Sequence, residues 1–114
     1  MSLRAFIPLL LLPALTLAAQ ERVTLSGAQQ RGVPGRNAKL DSRPVTLPRP
    51  AVIQSVDGGR AGFWIEGSQR KSFDTAAAAR GFRLPAGTYQ VYPNLPKDAP
   101  SASVTLVLVL DPKR

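Results

Sequence analysis

The chain of 114 residues contains no cysteine and no histidine. Without cysteine it cannot build a disulfide framework, a thiolate metal site, a redox pair or the acylated end of a lipoprotein. Without histidine it lacks the side chain on which most catalytic triads, zinc sites and imidazole acid–base steps depend. Its acidic residues are scattered, without the Asp-x-Asp spacing that binds calcium. The sequence therefore predicts no metal and no cofactor.

The carboxylates also give little support for catalysis. Glu66 and Asp74 flank a predicted hairpin and are the pair that a small hydrolase could use, provided that both faced one cleft. We interpret them instead as surface acids that balance Arg70 or Lys71. The serines have no histidine base and no Ser–Lys motif. We expect no catalytic residues, and a small hydrolase is the least favoured function.

The first 19 residues have the pattern of a secretory signal peptide. Arg4 provides a positive n-region, an uncharged apolar stretch follows over 5–19, and Ala18 and Ala19 are small enough for a signal peptidase. We expect cleavage after Ala19 or Ala18 and a secreted or periplasmic protein. The alternative, an uncleaved membrane anchor, is less favoured because this stretch is shorter than the ~20 residues that span a bilayer.

Positive charge exceeds negative charge, with 15 Lys and Arg residues against 7 Asp and Glu residues and a net charge of +8. This balance favours negatively charged partners, such as acidic polysaccharides or lipid headgroups. A soluble basic surface without a specific ligand is the alternative. Nucleic acid is not expected as a native ligand, because the protein is predicted to be exported and carries no nucleic-acid-binding motif. The candidate anion-binding residues are Arg31, Arg36, Lys39, Arg43, Arg70 and Lys71.

Two regions of different composition follow the signal peptide. Residues 20–43 are basic and glycine-rich with few apolar positions, which predicts a flexible or extended arm. Residues 44–114 hold short apolar segments separated by Gly and Pro, a spacing typical of an antiparallel sandwich or open barrel. We predict an all-β fold, a small antiparallel β-sandwich. The predicted strands cover 51–56, 61–66, 72–74, 81–84, 88–92 and 101–110, with edge strands at 23–25 and 45–47 and one helical turn or loop at 76–79.

Ser101–Leu110 is the longest predicted strand. Its first half alternates hydroxyl and apolar residues, as in a strand with one wet face, and from Leu106 onward both faces are apolar. Such a segment is buried on both sides or covered by a loop or a partner. We expect a core strand, and the alternative is a sheet edge through which a homodimer forms.

The segment 73–91 carries a turn and strand pattern made by Gly81, Phe82, Leu84, Pro85, Gly87, Thr88, Tyr89 and Val91. This pattern resembles the C-terminal half of prealbumin-like β-sandwich modules, such as carboxypeptidase regulatory-like and collagen-adhesin B-type domains. Pro85 sets φ for a turn, and Gly87 can take the positive φ that follows, which predicts a hairpin between the flanking strands. The resemblance implies a seven-stranded sandwich that serves as a spacer or binding module and has no enzymatic activity. No Lys/Asn pair for an intramolecular isopeptide bond is evident, and none is predicted.

Three residues form a candidate ligand-binding set. In Phe63-Trp64-Ile65 the side chain of Trp64 faces away from its two neighbours, so inward Phe63 and Ile65 would place Trp64 outward. Gln90 and Tyr92 would share that outer surface if their strand lies beside that of Trp64. Aromatic rings pack well against sugar faces, although Trp64 as a core residue is the alternative.

Three hypotheses about function follow. The first is a non-catalytic binding or structural module of the cell envelope or extracellular space, with an envelope protein or an anionic polysaccharide or lipid as its partner. The second is a carbohydrate-recognition module that uses exposed aromatic residues. The third is the small hydrolase.

Overall fold

The computed structural model describes residues 20–32, 34–35 and 37–113. The predicted signal peptide at 1–19 lies outside these ranges. Within them, no helix has the length and apolar character needed to cross a membrane.

The chain forms short strands separated by turns. In chain order, the elements of the described residues are β1 (Arg22–Gln30), β2 (Lys39–Ser42), β3 (Val45–Leu47), β4 (Ala51–Gly58), β5 (Phe63–Glu66), β6 (Arg70–Phe73), α1 (Ala76–Ala79), β7 (Arg83–Leu84), β8 (Gly87–Pro93) and β9 (Ser101–Leu110). The single helical turn begins where the Thr75 hydroxyl accepts a hydrogen bond from the Ala78 N–H, at 3.1 Å.

The strands make two antiparallel sheets, which confirms the predicted all-β class. Sheet one has the order β2-β1-β9-β4-β7, and sheet two has the order β3-β8-β5-β6. Strands β2 and β3 are nearly continuous in sequence but belong to different sheets. The chain therefore changes sheet at Arg43-Pro44, where proline lacks the N–H needed to extend the ladder.

The core lies between the two sheets. Every second residue of β9 from Val104 to Leu110 is buried, and the same alternation places Phe63 and Ile65 inward from β5. Phe73 lies 5.4 Å from Phe63 and 5.2 Å from Phe82, measured between ring centroids. The largest fully buried side chains are Phe63, Leu25, Leu47, Ile53, Ile65, Leu106, Leu108, Val91, Val104 and Pro93.

The prediction of a flexible or extended arm at 20–43 is wrong for its two strand segments. Strand β1 lies inside sheet one, paired with β9 over Arg22–Gln30 and with β2 over Gly27–Gln30. Its Leu25 is fully buried. The predicted edge strand at 23–25 is thus part of an interior strand, and the fold does not begin at residue 44.

The prediction of a core strand at 101–110 is confirmed, because the strand lies inside sheet one and is not a sheet edge, and a homodimer through this strand stays untested. Strand β9 pairs with β1 over Ser101–Val109 and with β4 over Val104–Leu110. Since both edges carry a partner strand, a second copy cannot add to the sheet there. Any homodimer contact through this strand is limited to its outward side chains.

The predicted hairpin around Pro85–Gly87 is a crossing between sheets instead. Strand β7 pairs with β4 in sheet one, and β8 pairs with β3 and β5 in sheet two. The side-chain alternation on either side of the turn is as predicted, because Leu84, Tyr89 and Val91 are all buried. The alternation of apolar and polar side chains shows which face of a strand is buried, but it does not show which other strand pairs with that strand.

The two sheets make backbone contact at one corner. A Cβ built at Gly27 of β1 would overlap the carbonyl oxygen of Val91 in β8 and lie 2.7 Å from its carbonyl carbon. Ser42 links the sheets beside this contact: its hydroxyl donates to the Ser26 carbonyl at 2.8 Å and accepts from the Val91 N–H at 3.0 Å. The hydroxyl therefore satisfies a backbone donor of β8 that would otherwise lose its partner.

Gly27→Ala should destabilise the protein by about 3 kcal/mol, because the added methyl group meets immobile backbone and forces the sheets apart. Chemical denaturation monitored by Trp64 fluorescence would measure this loss. Ser26→Ala, at the neighbouring exposed position, is the control and should change the free energy of unfolding by less than about 0.5 kcal/mol. Equal stabilities for the two variants would contradict the backbone contact.

Tyr89 gives the fold a pH-dependent contribution at high pH. Its ring is buried and its hydroxyl donates to the Pro85 carbonyl at 2.6 Å. Burial raises the pKa of Tyr89 above its ordinary value of 10.0. The folded state therefore retains a proton that the unfolded chain loses, and the free energy of unfolding should fall as the pH rises above about 10.

Tyr89→Phe should make this alkaline decline shallower while costing about 1 kcal/mol at neutral pH, where the hydrogen bond to Pro85 is lost. Urea denaturation at a series of pH values would measure both effects. Ser55→Ala, which removes an exposed hydroxyl that does not titrate in this range, is the control and should keep the slope of the unaltered protein. A slope unchanged by Tyr89→Phe would exclude this tyrosine as its source.

Candidate functional site

The outward face of sheet two carries a compact group of six side chains, here named the outer patch. Register places them in two rows across three strands. Ser72, Trp64 and Tyr92 are directly opposite one another in the first row, and Arg70, Glu66 and Gln90 form the second row. Neighbouring strands lie ~4.8 Å apart and side chains on one face repeat every ~6.8 Å, so the two rows form one continuous surface across the three strands.

Trp64 is the centre of the outer patch. Its ring centroid lies 5.5 Å from that of Tyr92, with an angle of 35° between the two planes. On the other side, the Arg70 guanidinium lies 5.2 Å from the Trp64 ring centroid, within cation–π range. The side chain of Trp64 is half-buried by these neighbours, and its Nε1 atom is fully buried without a hydrogen-bond partner in the described part of the chain.

The outer patch is close to electrically neutral. Arg70 Nε donates to Glu66 Oε1 at 2.7 Å, and this pair is substantially exposed. An exposed pair of this kind contributes little to stability and breaks readily. It offers carboxylate acceptors and guanidinium donors beside the aromatic rings, a mixture that suits the hydroxyl groups of a neutral ligand.

One end of the Gln90 side-chain amide forms a hydrogen bond within the fold. Its Nε2 donates to the Ser42 carbonyl at 2.7 Å, so the amide links β8 to the end of β2. The Gln90 carbonyl oxygen has no such role among the described residues. The structure thus brings Trp64, Gln90 and Tyr92 together on one face, with Gln90 held at the rim by its bond to β2.

The five predicted anion-binding residues that belong to the described ranges do not converge on one surface. Arg70 and Lys71 are neighbours on β6 and therefore point to opposite faces. The Lys71 ammonium lies 5.7 Å from the ring centroid of Phe73 and 5.4 Å from that of Phe82, at the margin of the core. Arg36 lies outside the described residues, whereas Lys39 and Arg43 are exposed at the two ends of β2.

Arg31 holds a loop in place. Its Nη2 donates to the carbonyl oxygens of Pro96 and Lys97, at 2.7 and 2.9 Å, and its Nε donates to that of Ala99 at 2.9 Å. The Arg31 N–H adds a fourth bond, to the Pro100 carbonyl at 2.8 Å. The guanidinium therefore binds the 96–99 loop to the end of β1, a structural role that the sequence did not indicate, and its role in anion binding stays a prediction.

An open groove that no sequence pattern indicated lies where the two ends of the described chain meet. The groove has a volume of about 1030 Å³ and is lined by Gln20, Glu21, Arg22, Arg49, Val52, Gln54, Val109, Leu110, Asp111, Pro112 and Lys113. Arg49 bonds to the Glu21 carboxylate, and Arg83 bonds to that of Asp111. These partners are distant in sequence, so no local motif marks them.

Comparison with protein-family models, with curated proteins and with solved structures finds no significant match for this chain. The prealbumin-like resemblance therefore stays a prediction. Within the described ranges, no group of three or more acidic, histidine or cysteine side chains is close enough to hold a metal ion.

Replacing Arg31 should loosen the 96–99 loop. Arg31→Gln removes the three side-chain hydrogen bonds that hold the loop, so local opening becomes easier and a lysine-specific protease should cut at Lys97 several-fold faster. Arg43→Gln makes the same change of charge at another exposed position and is the control. Mass spectrometry of the fragments would measure both rates, and equal cleavage would contradict the role assigned to Arg31.

Proposed function

We propose that this chain is an exported, non-catalytic binding module of the cell envelope or extracellular space, and that its ligand on the outer patch is a carbohydrate. The observation that carries the proposal is the pairing of Trp64 with Tyr92 on an outward sheet face. Two aromatic rings lie side by side on a solvent-facing surface and are bordered by polar side chains. This arrangement is typical of a ligand-binding surface, and a domain that served only as a spacer would not require it.

The composition of the outer patch favours a neutral glycan over a polyanion. Arg70 is balanced by Glu66, and the other described basic residues of the predicted set lie elsewhere or are bonded within the fold. A sugar offers an apolar ring face for Trp64 and Tyr92, and hydroxyl groups for Glu66 and the free oxygen of Gln90. Because Arg70 covers part of Trp64, a stacking ligand displaces this side chain, which breaks only a weak exposed pair.

The carboxylates of the outer patch support binding without catalysis. Glycoside hydrolysis needs two carboxyl groups that face one cleft across the scissile bond. Glu66 is the one carboxylate of the outer patch, and it is paired with Arg70 and exposed. A sheet face contacts one side of a ligand, so we expect weak binding to each sugar unit and stronger binding to a polymer that repeats the contact.

Titration of the single tryptophan tests the proposal. Protein recovered after expression and export of the full chain would be titrated with neutral glucans and galactans, an acidic uronate polymer and lipopolysaccharide, at low and high salt. We expect a saturable change in Trp64 emission with one of the neutral glycans that persists at high salt, since stacking is not screened by ions.

Tyr92→Ala keeps the reporter and should weaken this binding by about tenfold, which corresponds to ~1.4 kcal/mol. Ser55→Ala on the outward side of sheet one is the matched control and should bind normally. Binding only to acidic polymers, lost at high salt, would point instead to the anionic envelope partners predicted from net charge. Turnover of any glycan, abolished by Glu66→Gln, would contradict a non-catalytic role.

A further inference from the structure

Strand β2 has an open edge that carries an exposed apolar side chain. It pairs with β1 on one side and, within the described part of the chain, has no strand on the other. Leu40 lies opposite Gln29, on the side of sheet one that faces sheet two, yet it is 50% exposed because sheet two does not cover it. Among the described residues, no other large apolar side chain is exposed to this degree.

The other strand edges carry features that discourage pairing. Strand β3 lies between Pro44 and Pro48, and the two-residue strand β7 is followed by Pro85. Strand β6 presents the adjacent cations Arg70 and Lys71, and β4 is interrupted by a bulge in its pairing with β9. Strand β2 has no proline and carries one charge of each sign, on Lys39 and Asp41.

The order Lys39-Leu40-Asp41 is complementary to itself when two copies run antiparallel. Pairing centred on Leu40 sets this leucine directly opposite its copy and sets each Lys39 opposite the other copy's Asp41. Residues directly opposite share a face, so the two leucines meet on one side of the joined sheet and the two ion pairs form on the other. An isologous contact of this kind closes by two-fold symmetry and forms no fibre.

Neighbouring registers are unfavourable. Centring the pairing on Asp41 would place two carboxylates opposite each other, and centring it on Lys39 would place two ammonium groups opposite each other. In the intermediate register, Leu40 would lie opposite Asp41 of the other copy. Residues directly opposite must share a face, whereas Leu40 and Asp41 project to opposite faces, so this register is excluded. One register alone satisfies charge, apolar contact and alternation together.

We propose that two copies of this protein associate through the β2 edge, in the register centred on Leu40. The contact joins the two copies of sheet one into a single continuous sheet. It involves few residues, because Ser42 is occupied by Gln90 and Val91 of β8 and ends the available edge. We therefore expect a weak, concentration-dependent dimer with a dissociation constant of about 100 µM.

Charge exchange tests both the edge and the register. Lys39→Asp and Asp41→Lys should each weaken dimerisation by at least about tenfold, since each variant places like charges opposite each other. An equimolar mixture of the two variants should form a heterodimer as strong as the original dimer, because acidic and basic strands then meet. Sedimentation velocity over a range of concentrations would measure all three samples.

Lys97→Asp and Asp98→Lys make the same charge changes in an exposed loop and should leave the dimer intact. Circular dichroism and thermal melting would verify that the strand variants still fold. A wild-type protein that stays monomeric at millimolar concentration would overturn the proposal and leave the edge to an extended segment of another protein. A mixture as monomeric as its components would overturn it equally. Glycan titration reports on the other sheet, so either proposal can fail without the other.

Discussion

The fold depends on one place where backbone touches backbone. At most positions the sheets are held apart by core side chains, as in other sandwiches with an intersheet spacing of ~10 Å. At Gly27 and Val91 no side chain intervenes. The sandwich is thereby closed along one side, and Ser42 secures the closure by bonding to both sheets. The glycine is required for the space it leaves, since its backbone is ordinary extended strand.

This closure also positions the outer patch. Val91 is held by Gly27 on its inner side and by Ser42 at its edge, so its neighbours Gln90 and Tyr92 project outward from an immobile strand. Register with β5 then fixes Trp64 beside Tyr92. A ligand surface built on paired strands is more rigid than one built on loops, which lowers the entropic cost of weak binding.

Sequence reasoning succeeded where side-chain alternation alone decides the outcome. The strands near 51–56 and at 101–110 follow from period two, whereas the sequence left the direction of Trp64 open between an outward and a core position. It failed for β1, because inward positions there hold Gly27 and Gln29, residues that weaken a strand pattern. Gly27 is inward because the sheets touch, which is a tertiary fact that no local signal reports.

The arrangement of the predicted cationic residues was not evident from the sequence for a related reason. Arg70 and Lys71 are adjacent in sequence, yet a strand sends adjacent side chains to opposite faces. Arg31 is distant in sequence from the 96–99 loop, yet it bonds to the carbonyl oxygens of that loop. Basic residues that are adjacent in sequence show only that a segment is positively charged. Binding of an anion depends on which charged side chains strand pairing brings together, and the pairing could not be predicted from this sequence.

The sheet change at Arg43-Pro44 links the closure to the open edge of β2. A strand that leaves sheet one to join sheet two cannot cover its own edge before the crossing, so residues 39–41 are exposed by the same turn that closes the sandwich. Leu40 is 50% exposed, whereas Ser42, two residues further along the same face, bonds to Val91 of sheet two. Lys39 and Asp41 disfavour pairing with a strand that places like charges opposite them. A second copy of the same strand, running antiparallel, places an opposite charge at both positions.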